Sequence, residues 1–519
     1  MKSQNHNFWK KRIYQFVIIL SVLLAFITAG CSPNLTPGER KKDIQYIAQW
    51  AKDYSPFVEL NEKVKGCPSY ESLKPKYVEL AEQAKNNEEF LQVVYGYFSL
   101  IGDSGHFYLM PEKYLRGYFL AYLFSRNPTE ISWLQFHEAS YWAKLFYKNI
   151  ASVRPPFRIV YEEDEYFTNE PWRYRGTTIP TGSKILKVNG MTCSAFLGWL
   201  KENTWLRSYL FVEREWEKIK KHLLAVNEGK NFRGWQVDFL LPDSTTLSTF
   251  VPCRKWSPRT GKTDFKDYYK GNCVCLELRD DVGYIRIKSF LDKFRERDGK
   301  KIRSFLEDAQ GKYSKLIIDI RNNGGGSHAY FDHNLIRPLI KEPIRYKQVA
   351  GVRRKFVAET KPSYLDTIRN NDWIVTKEET GPPKGFKNND WIFYEITREF
   401  APSNSYSFNG NLYILIDGGC GSAADGYATI VKRTGFGTLV GQNTGGGACA
   451  VYGPVMVRLP KSGMIFMLEA DLIINADGSF DEIEGTAPHI KFEPADLPKS
   501  IIKEALLKDE WIQKIITEL

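Results

Sequence analysis

Ser422 is the residue whose surroundings in the sequence most clearly suggest chemistry. An apolar run at residues 412–416 predicts a buried strand, residues 418–421 form a glycine-rich turn, and Ala423 begins a predicted helix. A serine hydroxyl at such a strand-to-helix turn is exposed beside unpaired helix N–H groups, as in a nucleophile elbow. The alternative interpretation is that Ser422 only caps the helix, because serine is preferred at that position.

Three other groups could complete a hydrolytic site around this serine. His106 is the candidate base, since a serine hydroxyl is a poor nucleophile until a group that titrates near neutrality takes its proton. Gly324 and Gly325 follow an apolar run at residues 316–320, and a glycine loop at the end of a strand exposes N–H groups that suit an oxyanion hole. Glu484 is a candidate for orienting the imidazole. Each of these residues, taken singly, is more often structural.

A cysteine nucleophile is an alternative to the serine. Cys420 lies two residues before Ser422, but it has no helix terminus of its own to lower its pKa, and packing in the core is the preferred interpretation. Seven cysteines follow Cys31, an odd number scattered along the chain. They do not predict a dense disulfide framework, and their pairing cannot be read from the sequence.

The first 31 residues have the pattern of a targeting segment. Basic residues precede an apolar stretch at residues 13–28, and Ala29 and Gly30 then precede Cys31. A cysteine after two small residues resembles a bacterial lipobox, which implies cleavage before Cys31 and lipidation of its thiol. A plain signal peptide and an uncleaved anchor are the alternatives. In each case the mature protein is expected to lie outside the cytoplasm.

The composition excludes several other classes of function. The net charge of +11 is spread along 519 residues without a dense basic block beyond the first dozen, so nothing indicates nucleic-acid binding. Zinc-finger cysteine spacing, Walker loops and dinucleotide-binding glycine loops are absent from the sequence. We therefore predict neither a cofactor nor a metal ion.

The N-terminal half of the mature chain is predicted to contain two units. Residues 32–155 have helical periodicity and open with a capping box of Thr36 and Glu39. Residues 156–255 instead contain short strands joined by turn signals. Within them, residues 179–190 resemble part of a PDZ-type domain, with a generic small β domain as the alternative.

The C-terminal half is predicted to be an α/β core that contains the site. Residues 272–519 alternate strand and helix, which predicts a mostly parallel sheet with crossover helices. Residues 345–410 interrupt this alternation. Because much of that segment is polar, we predict that it is a surface insertion near the site.

Six segments of the sequence together resemble the tail-specific, or C-terminal processing, serine protease family. The resemblance covers nearly the whole mature chain, and its most specific segment is residues 317–326. It implies a multi-domain α/β fold with an N-terminal helical region, a PDZ-like module and a crotonase-like catalytic core. It also implies serine endopeptidase activity on unfolded or C-terminal segments of polypeptides. The matching segments are LIIDIRNNGGG, VGYIRIKSF, LIGDSGHFYL, GSAADGYATIVK, LVGQNTGGG and IEGTAPHI.

The family has two branches, which differ in the group that activates the serine. One branch uses a lysine in a TxGKG motif after the nucleophile, and Gly447 occupies that lysine position here. The tricorn-like branch uses histidine and glutamate, and the family also includes retinoid-binding relatives. The resemblance therefore implies Ser422 as nucleophile, His106 as general acid/base and Glu484 as orienting carboxylate.

Three positions depart from the pattern of the tricorn-like branch. A further serine normally precedes the histidine, whereas Gly105 stands here and Ser104 is a weak substitute one residue earlier. Asp425 replaces a glutamate that is common three residues after the nucleophile, and His489 replaces an aspartate. These departures leave the fourth catalytic residue open and are compatible with an inactive relative.

Two hypotheses of different classes follow for the function. The first is a lipid-anchored serine endopeptidase of the cell envelope that acts on polypeptides. Its oxyanion hole would consist of the backbone N–H of Ala423 and that of Gly324 or Gly325. The second is a non-catalytic protein of the same fold that binds a peptide or an apolar ligand. Nothing in the sequence indicates the oligomeric state.

Overall fold

The computed structural model describes most of the mature chain, with gaps. The segment 1–31 with Cys31, the residues Ser104 and His106, and Glu484 lie outside the described residues. In the described ranges, no helix is both long and apolar enough to cross a membrane. These ranges are 33–64, 69–101, 107–124, 132–149, 153–154, 156–157, 159–162, 165–168, 171–203, 223–224, 233–255, 271–309, 311–360, 363–370, 372–378, 390–403, 408–447, 451–475, 478–480, 485–492 and 501–519.

Helices dominate the N-terminal region, as predicted. Thr36 caps the first helix: its Oγ1 accepts a hydrogen bond from the Glu39 N–H, and the Glu39 carboxylate accepts one from the Thr36 N–H at 2.9 Å. The predicted capping box is therefore confirmed. The elements are α1 (Pro37–Tyr54), α2 (Phe57–Val64), α3 (Tyr70–Gln83), α4 (Asn87–Ser99), β1 (Tyr108–Leu109), α5 (Glu112–Phe124) and α6 (Trp133–Asn149).

A small antiparallel β unit follows, with one described helix packed on it. Its elements are β2 (Val153–Arg154), β3 (Ile159–Glu162), β4 (Glu165–Thr168), β5 (Trp172–Tyr174), β6 (Thr177–Ile179), β7 (Lys184–Val188), β8 (Met191–Thr192), α7 (Cys193–Asn203), β9 (Gly234–Leu240), β10 (Thr246–Pro252) and β11 (Arg254–Lys255). The main sheet has the order β10-β9-β7-β4-β3. Trp235 and Phe196 are buried in its core. The PDZ-type assignment of this unit stays a prediction.

The C-terminal region contains the predicted α/β core and two further sheets. Its elements are β12 (Cys273–Arg279), β13 (Val282–Ile287), α8 (Arg295–Ala309), β14 (Lys315–Asp319), α9 (His328–Phe331), β15 (Ile344–Arg353), α10 (Arg354–Glu359), α11 (Tyr364–Asn370), β16 (Ile374–Glu378), β17 (Trp391–Phe400), β18 (Asn411–Ile416), α12 (Ala423–Thr434), β19 (Thr438–Gly441), β20 (Pro454–Arg458), β21 (Ile465–Glu469), β22 (Asp471–Asn475), β23 (Ile490–Lys491), α13 (Lys503–Leu506) and α14 (Glu510–Glu518).

The main sheet of this core has the strand order β12-β13-β14-β18-β19-β23. Its pairings are parallel except for the one between β12 and β13, which confirms the predicted mostly parallel sheet. β14 and β18 are neighbours in the middle, with Leu316 opposite Leu412 and Ile318 opposite Ile414. Since parallel strands end at the same edge of a sheet, the loops after β14 and β18 emerge side by side.

The predicted surface insertion is instead part of a second sheet with its own buried residues. The strands β16, β17, β15 and β22 form this sheet in that order, and β15 and β17 pair along ten residues each. Trp391, Phe393 and Ile396 are buried in it. The prediction of a surface position was wrong because polar residues of these strands, among them Gln348, Thr397 and Arg398, are themselves buried in the sheet.

A hairpin of β20 and β21 joins the C-terminal region to the N-terminal helices. β1 pairs with β21, so the three strands form one small sheet. Phe466 and Leu459 from the hairpin lie in the same buried cluster as Phe90 and Trp142 from the helices. Asp43 on α1 also accepts hydrogen bonds from the Ser462 N–H at 2.8 Å. The N-terminal helices and the hairpin therefore share one core.

A buried group of charges lies at the carboxyl end of β14. Arg321 donates to Asp319 at 2.7 Å and to Asp509 at 3.0 Å, and Arg286 donates to Asp319 at 3.0 Å. Burial by itself would raise the pKa of Asp319, but the charges of Arg286 and Arg321 outweigh it and hold that pKa well below its ordinary range. Asp509 is also the N-cap of α14. The C-terminal helix is thus bonded to the strand end where the glycine loop begins.

Replacing Asp509 with alanine should lower the free energy of unfolding by roughly 3–5 kcal/mol, because one partner of a buried ion pair is lost. Asp509→Asn keeps a capping oxygen and should lose less. Asn86→Ala is the matched control: Asn86 caps α4 with two backbone hydrogen bonds at an exposed site, and its loss should cost about 1 kcal/mol. Urea denaturation measures all three, and equal losses for Asp509→Ala and Asn86→Ala would contradict the role of the ion pair.

Candidate active site

Ser422 has the strained backbone of a residue at a tight strand-to-helix turn. Its φ of 54° and ψ of −127° lie outside the regions that L residues prefer. Ser422 occupies the N-cap position of α12, but its side chain makes no capping hydrogen bond there, so capping does not account for the choice of serine. The Ser422 N–H donates to the Gly446 carbonyl at 3.1 Å, which fixes the turn against the next loop. Such strain persists only where the surroundings impose it, and it concentrates at functional sites.

Asn323 fixes the glycine loop that follows β14. It is fully buried, its Nδ2 donates to the Ile287 carbonyl at 3.2 Å, and its Oδ1 accepts from the Gly325 N–H at 2.9 Å. Its own carbonyl accepts from the Gly421 N–H at 3.1 Å. The loop is therefore bonded to β13 on one side and to the Ser422 turn on the other. No role for Asn323 was predicted from the sequence, although a polar residue between a buried strand and a glycine loop can indicate one.

The glycine loop approaches the serine so closely that only glycine fits. A Cβ at Gly325 would lie 2.6 Å from the Gly421 carbonyl oxygen and 2.8 Å from both the Ser422 Cβ and the Ala423 nitrogen. The Gly325 N–H is already bonded to Asn323. In the described part of the chain, the N–H groups of Gly324 and Ala423 have no hydrogen-bond acceptor. Of the two glycines predicted as oxyanion donors, the geometry thus favours Gly324.

Cys420 packs inside the turn and does not face the site. Its side chain is fully buried, and its Sγ donates to the Ile320 carbonyl at 3.0 Å. Burial, with the negative charge of Asp417 nearby, raises the pKa of the thiol well above its ordinary value. A thiolate nucleophile is therefore disfavoured, in agreement with the predicted structural role.

Two other ways of activating a serine or a water molecule find no support in the described residues. Gly447, at the position of the lysine in the other branch, is buried with a φ of 75°, a conformation that a lysine would adopt only at a cost. No group of three or more potential metal-ligating side chains occurs in the described ranges.

The residues that follow His106 and Glu484 in the sequence contact two different parts of the fold, the hairpin of β20 and β21 and the loop that contains Thr444. Phe107 packs against Phe466 with the two rings stacked at 6.0 Å, and Tyr108 on β1 pairs with Met467 on β21. Gly485 lies so close to the Thr444 carbonyl that a Cβ would collide with it. The side chains of Ser104, His106 and Glu484 lie outside the described residues, so their catalytic roles stay predictions.

The buried carboxylate of Asp471 is hydrogen-bonded to backbone N–H groups that follow the Thr444–Gly447 turn in the sequence. Asp471 Oδ2 accepts hydrogen bonds from the Tyr364 hydroxyl at 2.8 Å and from the Val451 and Tyr452 N–H groups at 3.0 Å. Burial, together with the charge of Glu469, raises the pKa of Asp471 to about 7. The other oxygen, Oδ1, is buried without a hydrogen-bond partner in the described ranges. Near neutrality, the protonated and the ionised forms of Asp471 are therefore both populated.

Comparison with known proteins agrees with this geometry. The sequence profile of Peptidase family S41 matches residues 281–492. The crystal structure of mature CPAF has a TM-score of 0.58 at 14% sequence identity, covering 88% of this chain and 93% of that chain. Mature CPAF complexed with lactacystin gives the same TM-score and identity over 93% and 98% of the two chains. The photosystem II D1 C-terminal processing protease has a TM-score of 0.41 at 14% identity, covering 91% and 98%. No curated protein sequence matches significantly.

These matches define the class of protein. The range 281–492 contains the glycine loop and Ser422, and the likeness to CPAF shows a shared fold over most of the chain. Residues 281–492 match the profile of Peptidase family S41, and this match supports a serine-type peptidase. The predicted α/β multi-domain fold and the expected likeness to S41 peptidases are confirmed, whereas the tail-specific type and the tricorn-like branch stay predictions.

Gly325→Ala tests the close approach of the glycine loop to the serine. The new Cβ would add a steric conflict with the Gly421 carbonyl to the cost of a φ of 94°, so the midpoint of thermal unfolding should fall sharply. Gly311→Ala is the matched control, because Gly311 has a φ of 71° with nothing within 4 Å of its added Cβ. That variant should lose only about 1–2 kcal/mol, the cost of the backbone conformation. Similar losses for the two variants would contradict the close approach.

Asp471→Asn should change how stability depends on pH. In the folded state Asp471 keeps its proton up to pH about 7, whereas in the unfolded chain it ionises near pH 4. Unfolding therefore releases a proton between these values, and this carboxyl makes the wild type progressively less stable as pH rises from 4 to 7. Asparagine cannot ionise, so the variant should gain stability relative to wild type over that window. Chemical denaturation at several pH values measures the difference.

The exposed Asp292 supplies the control for that measurement. Its side chain is 59% exposed, so solvent screens its charge in both states. Asp292→Asn makes the same carboxyl-to-amide change at an exposed site and should change the free energy of unfolding by no more than about 1 kcal/mol at any one pH. A parallel pH dependence for Asp471→Asn and wild type would show that Asp471 is ionised in the folded protein.

Proposed function

We propose that this protein is an endopeptidase of the tail-specific type that works through an acyl-enzyme intermediate. Ser422 Oγ attacks the scissile carbonyl while His106 takes the hydroxyl proton, and the resulting oxyanion faces the N–H groups of Ala423 and Gly324. His106 then gives its proton to the departing amine. A water molecule deprotonated by His106 releases the acyl group and restores the serine. Glu484 holds the imidazole in the orientation that these transfers need.

The observation that carries this proposal is the strained Ser422 beside N–H groups that have no acceptor in the described structure. Such a conformation costs a non-glycine residue of order 1–3 kcal/mol and occurs mainly at active sites, ligand clamps and switch regions. A nucleophile gains an exposed hydroxyl and an adjacent oxyanion hole. The match to the Peptidase family S41 profile also supports a nucleophilic serine.

The substrate and the location follow from the resemblance and the N-terminal pattern. We propose unfolded polypeptides as substrates, including their C-terminal segments, with the β unit at residues 156–255 as a PDZ-like module that binds them. We also propose that the mature chain is anchored outside the cytoplasm through lipidated Cys31. No cofactor is required by this mechanism.

A non-catalytic binding protein of the same fold is the second candidate. The observation in its favour is Gly105, which stands where the tricorn-like branch has a serine next to the histidine. Such a protein would bind peptide or apolar ligand without forming a covalent intermediate. Reactivity of Ser422 therefore separates the two candidates.

A fluorophosphonate probe tests the proposal, because it reacts only with an activated serine. Purified mature protein should be labelled at Ser422 and should cleave a casein-like substrate. Ser422→Ala should abolish labelling and lower turnover by roughly 10⁴–10⁶-fold, as expected for the loss of a nucleophile. His106→Ala should abolish labelling too, while leaving the protein folded.

Ser244→Ala is the matched control, since Ser244 also has a positive φ of 66° but lies in an exposed turn. This variant should label and cleave as the wild type does. A folded wild-type protein that neither reacts with the probe nor cleaves casein would overturn the proposed activity and favour the binding protein. Cleavage that survives Ser422→Ala would show that another residue is the nucleophile.

A further inference from the structure

Asp425 lies at the centre of a buried cluster next to the nucleophile. It is fully buried in the first turn of α12, three residues after Ser422. Its Oδ1 accepts hydrogen bonds from the Thr486 hydroxyl at 2.8 Å and from the Thr486 N–H at 3.2 Å. The Thr444 hydroxyl donates to the same oxygen. We call Asp425, Thr444 and Thr486 the Asp425 cluster.

The Asp425 cluster joins three separate segments of the chain. Thr444 belongs to the loop whose Gly446 carbonyl accepts the Ser422 N–H. Thr486 belongs to the segment that follows Glu484 by two residues. The Thr444 N–H also donates to the Thr486 carbonyl at 3.1 Å, and the Thr486 N–H lies 2.6 Å from Thr444 Oγ1. The helix, the loop and the segment that begins at Gly485 therefore meet at one carboxylate.

A carboxylate suits this position for two physical reasons. Several donors converge on a single oxygen, and hydrogen bonds to an ionised acceptor are about twice as strong as neutral ones. The position is also in the first turn of a helix, where the macrodipole favours negative charge. These two features explain an aspartate at Asp425, a position where the tricorn-like pattern commonly has a glutamate.

We propose that Asp425 is a positioning residue for catalysis: through Thr444 and Thr486 it fixes the start of the segment that follows Glu484 in the sequence relative to the Ser422 turn. The proposal rests on the proposed peptidase mechanism, in which Glu484 orients His106. Asp425 does not touch the reacting atoms in this scheme. It acts through the backbone of the segment that follows the orienting carboxylate, so Asp425 is part of an intact site and is not a sign of an inactive one.

Thr486 offers a test that leaves the carboxylate in place. Thr486→Val has nearly the same volume and keeps the backbone N–H, but it loses the hydroxyl that donates to Asp425. Turnover per probe-titrated site should fall roughly 10²-fold, the effect of a misplacement of about 1 Å in a catalytic group, with KM nearly unchanged. Thr486→Ser restores the hydroxyl and should restore turnover. A purely structural effect would lower the fraction of labelled sites without changing turnover per site.

Thr434→Val is the matched control on the same helix. The Thr434 hydroxyl donates to the Ile430 carbonyl at 2.6 Å, outside the Asp425 cluster, so this variant should keep wild-type turnover. Equal turnover per titrated site in Thr486→Val and wild type would overturn the positioning role. A wild-type protein that does not react with the probe would overturn the proposed function itself, and this mechanistic role with it.

Hydrogen exchange tests the cluster independently of activity. In Asp425→Asn, which weakens the shared acceptor, the amide of Thr486 should exchange faster than in the wild type, while amides of β14 should be unaffected. Unchanged protection of Thr486 would overturn the contact on which the positioning role depends. Faster exchange together with loss of turnover in Thr486→Val would establish both the contact and its consequence.

Discussion

The buried ion pairs of Asp319 are the interaction on which the site depends most. Asp319 ends the central strand β14, and its carboxylate receives Arg286 from β13 and Arg321 from the start of the glycine loop. Removing charges from water is costly, and here the cost is offset because each charge has an opposite partner and hydrogen bonds. Since Arg321 also binds Asp509, the last helix is held by the same charges. The strand end therefore has one arrangement, and the loop that follows it starts from a fixed point.

Beyond the end of β14, the site is shaped almost entirely by contacts of backbone groups. Asn323 links the glycine loop to β13 and to the turn before Ser422, and the absence of a side chain at Gly325 lets two loops meet. These contacts hold Ser422 in its strained backbone conformation. An oxyanion hole made from backbone N–H groups on two fixed loops needs little reorganisation during a reaction, which is the property that makes such sites effective.

The elements that carry the other predicted catalytic residues come from distant parts of the chain. β1, just after His106, pairs with β21, and the same hairpin shares its core with the N-terminal helices. Thr486, just after Glu484, is bonded to Asp425 on the helix of the nucleophile. The N-terminal helical region therefore has a defined relation to the catalytic core, since the hairpin joins both.

The sequence by itself determined the strand-turn-helix around Ser422, the glycine loop after a buried strand, the parallel sheet and the family, because each depends on local periodicity and residue type. Only the tertiary structure decided that β15, β16 and β17 form a sheet with β22, since strand pairing between distant segments leaves no local pattern. It also decided that Gly325 packs against the Ser422 turn while the Gly324 N–H has no acceptor among the described residues. The same holds for Asp425, which joins three segments. These features depend on which groups meet across the fold, and hydrogen-bond partners far apart in sequence are chosen by packing.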